Sequence, residues 1–470
     1  MSQLWFAILC LTLVSACALT PDYERPELDI PETYSADHEP GESIANLGWW
    51  EVFHDSELQS LVRSALLQNK NLGISLSRIA QANAQVTSTR ANQFPFLDIT
   101  GGASRGRQSQ LLMPGAGTSN SFNMMGNISF ELDLWLKLSR STESAQASLL
   151  ASEALNRHVS LTIVSSVARA YFLLVDLDER LLISQRTLKA RQDSLHVIEA
   201  RFNKGAVPEL DVNQAQIEVA TAKVAVSTFE RNIAQTENAL AILLGRNPGP
   251  IPRGLSLKDQ QLFPAIPTGL PSELLRRRPD VVAAEQQLHA ETALIGVAEA
   301  LRYPSLSLTG NFGAVSTDLS DLNSSGAETW GIGGSIFAPL LNWGQLKAQS
   351  EAQRARTEEA LYTYEATLQQ AFREVADALV AVRTYRDAYV AYSYQAKAAR
   401  NAERLSRARY DGGFVDYLEV LESSRSLFTA ELNETTSMQE AMNALIELYT
   451  ALGGGWALDP EAVTSAVKTP

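Results

Sequence analysis

Residues Phe122–Trp135 read FNMMGNISFELDLW, and the alternation in this stretch decides the fold. The even positions, from Phe122 through Met124, Ile128 and Phe130 to Leu134, are apolar apart from Gly126. The odd positions carry Asn123, Asn127, Ser129, Glu131 and Asp133. A period of two places these sets on opposite faces of a strand. Fourteen alternating residues outrun an ordinary globular strand. They suit a strand that crosses a bilayer at a tilt, greasy outside and polar towards a lumen. On that reading Asp98, Glu131 and Asp133 are lumen-facing strand acids.

Three further segments alternate in the same way: Leu97/Ile99/Ala103, Leu306/Leu308/Phe312/Ala314 and Trp330/Ile332/Ile336. The pattern predicts strands over about residues 95–104, 122–135, 304–315 and 329–340. Phe94, Trp135, Tyr303 and Trp343 stand near strand ends, as an interfacial aromatic belt would. A soluble four-stranded sheet is the alternative reading. If the sheet enters lipid, four strands are too few to close, since about eight make the smallest barrel. An open edge in hydrocarbon leaves costly unpaired backbone groups, so copies must pool their strands. Three copies would give about twelve strands, although closure alone does not select three.

The strands belong to a duplication. FPFLDITGG around Pro95 returns as YPSLSLTGN around Pro304, an offset of 209. Trp135 returns as Trp343, RFNKGAVPELDV from Arg201 as RYDGGFVDYLEV from Arg409, and Gly245 as Gly453, each at 208. The chain is therefore read as two tandem repeats, residues 56–245 and 280–453. Each repeat holds a helix, two strands and two long helices. The helices are predicted over about 138–202 and 209–245, then 344–410 and 417–452. Val167, Leu174, Leu181, Leu188, Leu195 and Phe202 recur every seven residues, which is coiled-coil-like packing. Residues 17–55 and 246–279 are proline-rich and read as extended straps, and 454–470 as a peripheral tail.

Residues 1–16 read as a signal peptide, apolar from Trp5 to Ala16 and too short to span. Val14-Ser15-Ala16-Cys17 resembles a lipobox, which makes Cys17 the candidate lipidated residue. Beyond residue 17 no apolar run reads as long enough for a membrane helix. Both cysteines, Cys10 and Cys17, precede the folded part, so neither a disulfide framework nor a cysteine metal site is available. A net charge of −14 without a basic run argues against nucleic acid as a partner. The five histidines lack metal-ligand spacing, and no nucleophile elbow, phosphate loop or dinucleotide fingerprint occurs. No enzyme, catalytic residue, metal or cofactor is expected.

CALTPDY from Cys17, GWWEVFHD from Gly48, RRPDVVAAE from Arg277, YLEVL from Tyr417 and LGGGW ending at Trp456 resemble the OprM/NodT branch of the TolC superfamily. The resemblance runs from Cys17 to about Trp456 and departs at Leu136, where the repeat-two pattern Trp343-Gly344 leads one to expect glycine. It implies a mixed α and β membrane protein, a trimeric twelve-stranded outer-membrane β-barrel above a periplasmic α-barrel. It implies a passive exit duct, lipid-anchored in the outer membrane, that carries small molecules. The implied partners are two sister copies, a periplasmic adaptor and an inner-membrane transporter of the resistance–nodulation–division (RND) type. By position, the adaptor-facing turns are Gly205, Ala206, Val207 and Pro208, and Gly412, Gly413, Phe414 and Val415. Asp416 and Glu419 are candidate aperture-lining acids, or else ordinary helix-start carboxylates. The alternatives are a TolC-like duct for type I protein secretion and a non-channel periplasmic coiled-coil lipoprotein.

Overall fold

The computed structural model describes residues 22–27, 48–52, 54–109, 111, 115, 117–260 and 274–454. The signal peptide, Cys17, most of the first strap and residues 455–470 of the tail lie outside them. The elements run α1 (Trp49–Val52), α2 (Ser56–Gln68), α3 (Lys70–Ala91), β1 (Phe96–Arg107), β2 (Thr118–Leu132), α4 (Lys137–Asn203) and α5 (Glu209–Leu243). They continue as α6 (Leu274–Arg277), α7 (Pro279–Ala300), β3 (Ser305–Ser316), β4 (Glu328–Phe337), α8 (Gln345–Asp411) and α9 (Tyr417–Ala451). Two compact units result. One is the described part of Met1–Leu28, Arg78–Glu153 and Ala283–Glu365, and the other that of Asp29–Ser77, Ala154–Val282 and Ala366–Pro470.

The first unit holds one antiparallel sheet in the order β1-β2-β3-β4. Strand limits differ from the alternation in two ways. The β1–β2 ladder runs on past the apolar stretch, through Ser104↔Ser121 and Arg105↔Asn120 to Arg107↔Thr118. Backbone pairing needs no greasy side chains, so it outlasts the hydrophobic pattern. At the other end β2 stops at Leu132 and β4 at Phe337 rather than 135 and 340. Pro339 has no N–H for a ladder, which accounts for the second stop.

Asp22 pairs with Arg140 at 2.5 Å in this unit, Tyr23 stacks on His289 at 4.6 Å, and Arg25 forks onto Glu285 at 2.6 and 2.7 Å. The one described piece of the first strap before Gly48 is thus tied to α4 and α7.

The two longest helices, α4 and α8, have 67 residues each, about 100 Å at 1.5 Å per residue. One window of α4 does reach spanning length and hydropathy, with a mean hydropathy of 1.5, against the expectation of none. It is 61% buried, which makes it the core stripe of a packed helix. Val167 and Leu174 of the seven-residue series are fully buried, whereas Phe202 at the helix end is exposed.

Leu136, where glycine was expected, adopts φ 61°, and Gly344 takes φ 85° at the matching place. The bend is therefore kept and a leucine is held in the left-handed region, which costs an L-residue roughly 1–2 kcal/mol. Leu136 is 42% exposed, so its replacement forfeits only part of a side chain's packing. Leu136→Gly is expected to stabilise the protein by about 0.5–1 kcal/mol, after allowing for the looser unfolded chain. A fall in the thermal midpoint of this variant would refute that.

Candidate functional site

The sheet is two-faced. Leu97, Ile128, Gly310 and Ile332 stand in one row across it, as do Ile99, Gly126, Phe312 and Trp330. The intervening row is Asp98, Asn127, Asn311 and Gly331. Among the described residues the apolar face is left largely uncovered: Leu97 is 71% exposed and Ile332 86%. β1 and β4 are the two edges, and no pairing joins them.

Asp98 lies on the polar face, where Asn127 Nδ2 donates to its carboxylate at 3.0 Å. Glu131 shares that face, in register with Ser307 and Ser335, and Lys137 pairs with it at 2.5 Å. Asp133 is a correction. It lies beyond β2 and is not a strand residue. Its carboxylate accepts from the N–H groups of Leu138 and Ser139, both at 2.8 Å, and from Ser139 Oγ at 2.6 Å. Orphan N–H groups and the positive end of the dipole at the start of α4 hold it there. An acid that continues the odd register but sits four residues before the start of a helix reads as strand from sequence. Two of the four aromatic residues meet at this end: Trp135 Nε1 donates to the Pro304 carbonyl at 2.7 Å, and its ring meets Tyr303 at 5.0 Å.

The helix turns lie in the second unit. Gly205 and Gly413, with φ of 73° and 76°, end α4 and α8. Each is followed by the same closing bond, Ala206 N to Arg201 O at 3.0 Å and Phe414 N to Arg409 O at 2.9 Å. That pattern is a glycine helix stop. Ala206, Pro208, Gly412 and Phe414 are exposed, Phe414 to 80%. Val207 and Val415 are half-buried, and Val207 packs on the cluster of Ile198, Ala215, Tyr417, Val420 and Leu421. Two of the eight turn residues are therefore partly covered and six are displayed.

Asp416 is the N-cap of α9, accepting from Glu419 N at 3.4 Å, and Glu419 pairs with Arg409 at 2.8 Å. The structure brings these two acids to one exposed helix start. It also supplies a partner the sequence reading missed, Arg409. The duplicated motif contained the signal, since both copies open on arginine, although Arg201 at the matching position instead lies over the Tyr410 ring at 4.9 Å.

A two-faced sheet open at both edges, joined to 67-residue helices, defines a subunit of a mixed α and β membrane channel. The sequence pattern described as outer membrane efflux protein matches residues 61–246 and 270–454, and the chain belongs to that family. It is 34% identical to the toluene efflux pump outer membrane protein TtgC of Pseudomonas putida over 94% of each chain. It is 32% identical to the cation efflux system protein CusC of Escherichia coli, covering 95% of this chain and 98% of CusC. The CmeC outer membrane channel of Campylobacter jejuni superposes with a TM-score of 0.89 at 27% identity, over 96% of this chain and 98% of CmeC. The protein is thus an outer-membrane exit duct for efflux, with its helices forming a periplasmic tunnel.

Proposed function

We propose that three copies close a twelve-stranded barrel and form the passive outlet of a tripartite efflux system. The observation that carries this reading is the sheet: its bare apolar face suits lipid, whereas its two unpaired edges are intolerable there unless sister copies complete them. The partners are a periplasmic adaptor at the two helix turns and an RND-type transporter in the inner membrane. Cys17 carries the lipid that anchors the chain, and its five-residue distance from Asp22 limits its reach to about 18 Å. Similar relatives are named for cargoes as unlike as toluene and cations. That spread supports a duct without selectivity of its own, with the choice of cargo made upstream.

Purified full-length protein is expected to run as a trimer in detergent and to give stepwise conductance in planar bilayers. A monomer without conductance would overturn the proposal. Asp416 and Glu419 are proposed to line the closed aperture, held by Arg409. The double variant Asp416→Ala/Glu419→Ala is expected to raise single-channel conductance severalfold, at a cost of about 1 kcal/mol for the lost cap. Unchanged conductance would remove both acids from the aperture.

A further inference from the structure

A cavity of about 350 Å³ lies among α4, α5, α8 and α9, all within the second unit. Its walls are built from guanidinium groups that share carboxylates. Glu218 of α5 accepts from Arg191 at 2.9 Å and from Arg425 at 2.7 Å. Glu431 of α9 accepts from Arg186 at 2.7 Å and from Arg400 at 2.9 Å. Arg407 pairs with Glu403 at 3.0 Å along α8. Four lining arginines (Arg186, Arg191, Arg400 and Arg407) thus meet three glutamates, an excess of one positive charge, with Arg425 holding Glu218 from outside the lining.

Arg191 is the strained member. It is 6% exposed and lies over the Phe428 ring at 5.2 Å, and its Nε–H has no hydrogen-bond partner. Burial and the neighbouring Arg425 pull its pKa below the usual range, although Glu218 opposes them. A buried guanidinium with an unused N–H and surplus positive charge is what an oxyanion relieves, because its oxygens match the fork of donors.

We propose that this cavity binds a small multivalent oxyanion, of the phosphate or dicarboxylate class, which ties the α4–α5 pair to the α8–α9 pair. The anion draws on arginines from α4 and α8 at once, so its binding resists any motion that separates the two helix pairs. Nothing in the exit-duct reading requires it.

The test uses the full-length protein in detergent, titrated with inorganic phosphate and separately with succinate in sodium chloride at fixed ionic strength. Equilibrium binding and the thermal midpoint are both read. Saturable binding of one anion per chain with a raised midpoint is expected. Arg407→Gln should weaken it about tenfold, and Glu403→Gln, which frees Arg407, should strengthen it by a similar factor. Both variants leave the buried Glu218 and Glu431 pairings intact, so the fold is retained, and their anion-free midpoints verify this. Binding of phosphate but not succinate assigns a tetrahedral site, and binding of both a general oxyanion site. Absent saturation, or equal affinity in all three proteins, overturns the proposal and leaves an adventitious ion only.

Discussion

Asp55→Ala is expected to lower stability by about 3–5 kcal/mol and to release residues 254–260 from the helices they cover. Asp55 is fully buried (0% exposed), and its two oxygens serve three elements at once. Oδ1 caps α2, accepting from the N–H groups of Glu57 at 2.9 Å and Leu58 at 3.3 Å. Oδ2 accepts from the Tyr171 hydroxyl of α4 at 2.8 Å, Leu255 N at 2.9 Å and Gln260 Nε2 at 3.0 Å. Tyr171 in turn accepts from Gly254 N at 2.8 Å. Removing the carboxylate strands several buried donors, each costing about 1–3 kcal/mol, partly recovered by relaxation and water. Burial pushes the Asp55 carboxyl up, but the bonds from Tyr171, Leu255 and Gln260 outweigh it and hold the pKa below its usual value. A depressed carboxyl stabilises the fold above its unfolded pKa and loses that contribution as pH falls through its folded value. Acidification should therefore mimic the substitution. Hydrogen exchange at Leu255 reads the effect: protection equal to that of the native chain, at neutral pH, would rule the latch out.

The duplication and the alternation carried most of the architecture, because both are written in residue type at fixed spacing. Leu97, Ile128 and Ile332 announce one face of the sheet, and the glycines after each rod announce its end. What stayed hidden were interactions in which unlike residues do the same job. Asn69 and Arg278 are an example, 209 positions apart and chemically unrelated. Asn69 Nδ2 donates to the Leu243 carbonyl at 2.7 Å, and Arg278 Nη1 to the Ala451 carbonyl at 3.2 Å. Leu243 and Ala451 are themselves 208 apart. Each donor sits at the break between two helices and closes the last turn of the long helix that returns beside it. Arg278 also forks onto Asp280 at 3.0 and 2.6 Å and reaches Glu374 at 2.7 Å. The Arg-Arg-Pro-Asp stretch is therefore a staple for α7, α8 and α9. Asp133 shows the converse, where residue type fitted the strand pattern while the local need was for a helix cap. The arginine-lined cavity was equally invisible, since its members lie on four helices with no common spacing.

The same two breaks carry the other large effect. Gly245→Ala is expected to cost about 4 kcal/mol or more, and Gly453→Ala only about half as much. Both glycines adopt φ 72°, so alanine strains the backbone equally at either site, by roughly 1–2 kcal/mol. The surroundings separate them. A Cβ on Gly245 would overlap the Gln68 carbonyl oxygen and lie 2.6 Å from its carbon, and both are backbone atoms that cannot swing away. On Gly453 it would meet Arg277 C and O at 3.1 Å, a contact that a shift of a few tenths of an ångström relieves. The α2–α3 break, fixed by Asn69 to both α3 and α5, has no such freedom. Thermal midpoints of the two purified variants test the ranking. Equal losses would mean that strain at φ alone sets the penalty, and that close seating of Gly245 on the helix break contributes nothing.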